Sequence, residues 1–341
     1  MAGPPRADLV LSGGGVKGMA HVGALTAFEE AGYEAWRIAG TSAGALVAAL
    51  FASGMTAENM AAVFSVLDPG TFRDAALYER IPLVGPLVSV ASRNGIYEGD
   101  RLHGWLTRQL EDLGVRTFRD LRLRDRAGAL PPARSYKLVV VVTDITRGEL
   151  IRLPWDYRDR YGLDPDEQPV ADAVRASVSL PIFYKPPRLQ ASDATTSALV
   201  DGGVLSNFPI DIFDRTDLRP PRWPTFGITL LPRLPADLAA VFPGLSLLSV
   251  GPVRFLEDLV ATMVVGRDQA RLELPWVAAR TIALNTDTAG ILDFDASRAV
   301  RDELFAEGLT RMRAFLETWD FAAYKRRFRR GAVSDQRSSR T

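Results

Sequence analysis

Two hydrophobic periods alternate along this 341-residue chain. Short apolar runs at 9–12, 36–40, 136–142, 198–200, 225–231 and 281–284 have the length and residue types of buried strands. Between and after them, helical spacing predicts helices over 18–31, 43–53, 170–177, 253–273 and 296–319. Another is expected from about 100 to 113, with Asp100 as its N-cap. The segment 43–53 is apolar on every side, as a helix packed at the centre of a sheet-containing domain should be. Residues 149–153 read as a strand pairing back across the turn Thr146-Arg147-Gly148. The polar stretch 156–168 reads as a surface loop. Residues 55–100 are less periodic and interrupted by Pro69, Pro82 and Pro86, so part of them is expected to form a cap.

Strands alternating with helices predict a three-layer α/β/α fold around a mainly parallel sheet. With no internal repeat and no convincing linker, a single domain is expected over 1–320. A basic, flexible tail would follow at 321–341.

Composition narrows the function. The chain is 47% apolar and 24% charged, and 41 basic residues balance 41 acidic ones. Zero net charge gives no global attraction to nucleic acid or to an anionic membrane. With no cysteine there is no disulfide, thiol nucleophile or cysteine metal site. The N-terminal residues lack the pattern of a secretory signal, and no run reaches the ~18–20 apolar residues of a membrane span. A cytoplasmic protein, soluble or peripheral at a membrane, is expected.

Three motifs carry chemistry. Gly13-Gly14-Gly15-Val16-Lys17-Gly18 lies at a strand-to-helix turn, where free backbone N–H groups suit an anion or a developing oxyanion. It also satisfies G-x-G-x-x-G, but the second strand ends in Gly40-Thr41-Ser42 and not in the acidic residue of a dinucleotide fold. Met19 and Ala20 exclude a Walker A loop. Gly40-Thr41-Ser42-Ala43-Gly44 is a G-x-S-x-G pattern placed where a strand should turn sharply into a helix, which exposes a serine hydroxyl. If the first two strands are neighbours, the glycine loop faces this serine. Asp201-Gly202-Gly203 directly follows the run at 198–200. A Ser–Asp–His triad of the α/β-hydrolase order is impossible, because His21 and His103 are the only histidines and none follows the aspartate. An aspartate acting directly on the serine is the simplest remaining scheme.

In this order the three motifs resemble the signatures of patatin-like phospholipases, with supporting stretches that extend the likeness over about 8–215. The resemblance implies a lipid acyl hydrolase with a Ser–Asp dyad and no cofactor or metal. By position, Ser42 would be the nucleophile, Asp201 the general base, and Gly14, Gly15 and Val16 the oxyanion donors. Gly13, Lys17, Gly18, Gly40, Gly44, Gly202 and Gly203 would support them. The expected partner is a lipid or acyl ester, with no nucleic acid. An aspartate near its ordinary pKa of ~3.9 is a weak base for a hydroxyl. Asp201 is therefore expected to be desolvated, beside Val204-Leu205, which would raise its basicity. Acyl transfer to another alcohol fits the same dyad. So does an effector silent until a ligand binds, and a nucleotide-binding module with a structural Ser42 is a reading from another class.

Other polar residues read as structural. His21 is expected to pack on the first helix, His103 to have no catalytic part, and Asp144 to serve a turn. Asp172, Asp211 and Asp214 read as helix-face charges. Lys325-Arg326-Arg327-Phe328-Arg329-Arg330 is either a solvated helix end, the favoured reading, or a contact with anionic lipid.

Overall fold

A computed structural model describes residues 3–67, 95–125, 130–215, 219–230, 268–288 and 296–328. Most of the cap expected in 55–100, most of the helix expected over 253–273, and the tail beyond Phe328 lie outside these residues.

The chain opens with β1 (Arg6–Leu11), α1 (Gly18–Glu30), β2 (Glu34–Thr41), α2 (Ala43–Ala52) and α3 (Ala57–Val66). After β3 (Gly95–Tyr97) and α4 (Asp100–Asp112) come β4 (Leu138–Asp144), β5 (Glu149–Leu153), α5 (Tyr157–Tyr161) and α6 (Val170–Ser177). Three short strands follow, β6 (Ile182–Tyr184), β7 (Arg188–Gln190) and β8 (Thr196–Asp201). The rest comprises β9 (Thr225–Thr229), α7 (Gln269–Leu272), α8 (Pro275–Ala278), β10 (Thr281–Ala283), α9 (Arg298–Thr318) and α10 (Phe321–Phe328).

The main sheet runs β10-β9-β1-β2-β4-β8-β7, with β5 also on β4. The five strands from β10 to β4 are parallel, whereas β5, β8 and β7 pair antiparallel. The sheet is thus mixed, and its parallel part is the expected one. All seven residues of β4 and the last five of β1 are buried. Successive strand residues point to opposite faces, so both faces of the sheet centre are covered. The β-branched run Val139–Val142 suits that position.

Two local expectations are corrected. The stretch 156–168 is not a free surface loop: it holds α5, whose Tyr157 and Tyr161 are buried, with Tyr157 edge-on to Phe118. Asp100 is not an N-cap; that place belongs to Gly99 at φ 79°, and Asp100 sits in the first helical turn. A Cβ on Gly99 would strike the Arg175 guanidinium, so glycine is required there twice over. At the C-terminal end, Tyr324 of α10 is buried, in ring contact with Trp319, and donates its hydroxyl to Trp276 O at 3.1 Å. The basic run therefore begins in a docked helix.

The long helix α9 lies against α1, and both contribute a glycine to the crossing. A Cβ on Gly308 would overlap the carbonyl oxygen of Ala20, and one on Gly23 that of Phe305. Backbone cannot yield as a flexible side chain can, so the helices would have to separate. Gly308→Ala is expected to lower stability in urea unfolding by a net ~1–3 kcal/mol, despite the ~1 kcal/mol that alanine gains in helix propensity. An unchanged midpoint would contradict this close crossing.

Candidate active site

The site forms where β1, β2 and β8 end. One edge of β4 is shared by two strands approaching from opposite directions. Parallel β2 pairs up to Thr41 opposite Val141, and antiparallel β8 begins its pairing with Asp201 opposite Val142. The C-terminal ends of β2 and β8 therefore meet head to head, with Ser42 and Asp201 at the junction. There the Ser42 hydroxyl lies near enough to the Asp201 carboxylate to favour its ionised form.

Ser42 has φ 54° and ψ −126°, a conformation an L-residue adopts only under strain. It is half-buried between fully buried Thr41 and the apolar helix α2, whose first turn it enters. The flanking glycines make this tight turn possible. A Cβ on Gly40 would overlap the Gly44 carbonyl, and one on Gly44 would lie 2.5 Å from the carbonyl oxygens of both Leu11 and Ser12.

The glycine loop after β1 packs directly on this turn. A Cβ on Gly13 would lie 3.0 Å from the Ser42 Cβ and would overlap Asn207 Oδ1. Ser12 anchors the loop: its N–H donates to Ile228 O (3.0 Å) and its hydroxyl accepts from Leu230 N–H (2.9 Å). His21 is wholly buried on α1 and donates from Nε2 to Ser12 O at 2.8 Å. Burial lowers its pKa to about 4, so the ring is neutral and serves to hold the loop. Gly15, at φ 60°, opens a single 3₁₀ turn with Val16 and Lys17. Among the described residues, the N–H groups of Gly14 and Gly15 have no hydrogen-bond partner. Gly18 begins α1, where a Cβ would make only ordinary contact with Ala43 and Val47. Lys17 is buried, and desolvation lowers its pKa to about 8, partly offset by Asp287.

Asp201 is buried, and desolvation raises its pKa to about 6 against the opposing effects of the nearby Ser42 hydroxyl and of the bond from Gly203 N–H (2.8 Å). The direction is the expected one, but the cover is different. Val204 and Leu205 are only half-buried, whereas Asp201 lies at the end of β8 among buried β4 residues and gives its N–H to Ser179 O at 2.9 Å. Gly202 permits this seating: a Cβ there would sit 2.5 Å from Val141 O and 3.0 Å from Thr41 Cγ2.

Four residues not singled out from sequence take part in the framework. Ser177 accepts from Ser42 N–H (2.9 Å) and donates to Val141 O (2.7 Å). Ser179 supplies the carbonyl that fixes Asp201. Asn207 accepts from Gly13 N–H through its own carbonyl (3.3 Å) and donates from Nδ2 to Gly13 O (3.4 Å). Asp268 holds that loop by accepting from Ser206 Oγ (3.2 Å) and Phe208 N–H (2.6 Å). The remaining sequence candidates lie elsewhere. His103 bonds Asp172 of α6 at 2.7 Å; Asp211 and Asp214 lie in a turn and not on a helix face as expected, and pair with Arg271 and Arg280; Asp144 caps the turn at Thr146 and Arg147 while accepting from Tyr161.

A carboxylate of raised proton affinity thus lies beside a strained serine and a loop with free N–H donors. The family model for patatin-like phospholipases matches residues 9–214. The chain belongs to the patatin-like phospholipase family. That span agrees with the 8–215 read from the motifs. The chain is also 42% identical to YqhO of Bacillus subtilis over 227 residues, 66% of this chain and 72% of that protein. It is 30% identical over 301 residues to the NTE family protein Rv2565 of Mycobacterium tuberculosis, which covers 84% of this chain but 43% of that protein. The chain thus spans less than half the length of this mycobacterial relative. Among solved structures, VipD from Legionella pneumophila shares the fold, with a TM-score of 0.50 and 19% identity over 92% of this chain and 67% of that chain. Membership supports lipid hydrolysis at the level of the family. Among the described residues, no helix is long and apolar enough to cross a membrane.

Proposed function

We propose that the protein hydrolyses acyl esters of lipids through an acyl-enzyme on Ser42, with Asp201 as its general base. The observation that carries this reading is the meeting of Ser42 and Asp201 at the junction of β2 and β8, opposite neighbouring residues of β4. In the first step Asp201 takes the hydroxyl proton as Oγ attacks the ester carbonyl. The carbonyl oxygen becomes an oxyanion, stabilised by N–H groups of Gly14 and Gly15, with Val16 next in the turn. Collapse expels the alcohol, which leaves with the proton held by Asp201. Water then attacks the acyl-enzyme, its proton passing to Asp201 and on to Ser42 Oγ as the free acid departs.

A pKa of about 6 suits this task, because the carboxylate is ionised at neutral pH yet more basic than an ordinary aspartate. No metal or cofactor enters the scheme. The test is a series of p-nitrophenyl esters of increasing acyl length, paired with fluorophosphonate labelling of the purified protein. Labelling of Ser42 is expected, with kcat/KM higher for long acyl chains than for acetate. A preparation that is folded, unlabelled and inactive on the whole series would refute the reading.

A further inference from the structure

One short segment touches both members of the proposed dyad. It is the end of α6 and the residues after it, Arg175-Ala176-Ser177-Val178-Ser179. The ladder between β2 and β4 stops at Thr41 and Val141. The next donor on β2 is Ser42 N–H, and it meets no carbonyl of β4. The fully buried hydroxyl of Ser177 stands there instead, accepting from Ser42 N–H and donating to Val141 O. Two residues on, Ser179 O takes the N–H of Asp201. Ser179 is itself locked, since its hydroxyl donates to Arg175 O at 2.6 Å and accepts from the Arg175 guanidinium.

We propose that Ser177 is a positioning residue that sets the strained backbone of Ser42, a proposal resting on the Ser42–Asp201 reading above. Three facts support it. The hydroxyl bridges two backbone groups at the point where the β2–β4 ladder ends, so its rotamer is fixed from both ends. It acts on the amide of the one residue in the site whose φ/ψ is strained, where a lost restraint moves Oγ most. The same segment fixes Asp201, so the separation of the two side chains is set by one rigid turn. Among the described residues, Ser177 makes no hydrogen bond to the Ser42 hydroxyl or the Asp201 carboxylate, which separates its role from theirs.

The test compares Ser177→Ala, Ser177→Thr and wild type by ester kinetics, fluorophosphonate labelling rate and thermal melting. Misplacing the hydroxyl should lower kcat and the labelling rate of Ser177→Ala together, by roughly 10- to 100-fold, with KM within twofold. The acid limb of its pH profile should stay where wild type has it, because Asp201 keeps its surroundings. Ser177→Thr retains a hydroxyl and should recover most of the lost kcat. A purely structural role predicts a lower melting temperature with kcat per folded molecule unchanged, and that result would overturn the proposal. So would Ser177→Thr no more active than Ser177→Ala. If the alanine variant does not fold, Ser177→Cys against Ser177→Thr decides: weaker S–H bonding should reduce kcat, and equal kcat overturns the proposal. Failure of wild type to label at Ser42 would remove the parent reading and this one with it. Normal wild-type labelling with unaffected variants would remove this one alone.

Discussion

Ser42→Ala is expected to abolish fluorophosphonate labelling and to lower ester turnover by roughly 10³-fold or more, as removal of a serine nucleophile does in other hydrolases. The fold should be nearly indifferent to it. Alanine keeps the Cβ, so it keeps the strain of φ 54° and ψ −126°, and the amide bond to Ser177 Oγ does not involve the lost hydroxyl. Ser42→Gly tests the strain itself. Glycine enters positive φ without the steric penalty of a side chain, and strained positions of this kind carry ~1–3 kcal/mol. The glycine variant should be as inactive as the alanine variant yet melt at a higher temperature than either it or wild type. Residual activity within tenfold of wild type in both variants would remove Ser42 from the chemistry.

The site's three motifs were legible because each is constrained by close backbone approach, and only a few residue types satisfy such constraints. Gly40, Gly44, Gly13 and Gly202 all sit where a Cβ would meet backbone or another site residue. The parallel half of the sheet was legible for a related reason. Strands buried on both faces read as continuous apolar runs, and β4 and β1 are of that kind.

What stayed hidden is equally physical. The direction of β8 is not written in its residues, since an antiparallel strand at the end of a βα series has the same apolar pattern as a parallel one. Yet that direction brings Asp201 to Ser42. Strands β3, β6 and β7 have three residues each, too few for any period to show. Helix α5 left a usable signal that its charges obscured: Tyr157 and Tyr161 stand four apart, on one face, and both are buried. Ser177 and Asn207 left none. Each acts by joining backbone groups from distant segments, and a single serine or asparagine in a sequence carries no trace of such a partner.

Asp201→Asn is expected to trade activity for stability. Asparagine cannot take the Ser42 proton, so kcat should fall by a factor of roughly 10³, comparable to the loss of other orienting or basic partners of a serine nucleophile. In wild type, kcat/KM should fall as pH drops through about 6, where the buried carboxylate becomes protonated. Stability should run the other way. Burial raises the folded pKa from 3.8 to about 6, so between these values the folded state binds more protons than the unfolded one. Stability then declines as pH rises across that window. Above it, ionised Asp201 destabilises the fold by a constant amount of about 3 kcal/mol, the equivalent of some two pKa units. Asparagine has no charge to bury and keeps an acceptor for Gly203 N–H. The variant should therefore melt higher than wild type at pH 8, and the difference should vanish below about pH 4, where both are neutral at this position. A variant less stable than wild type at pH 8 would mean that the bond from Gly203 and the nearby Ser42 hydroxyl outweigh the carboxylate's desolvation. Its pKa would then lie below 3.8, and the acid limb of activity would shift down with it.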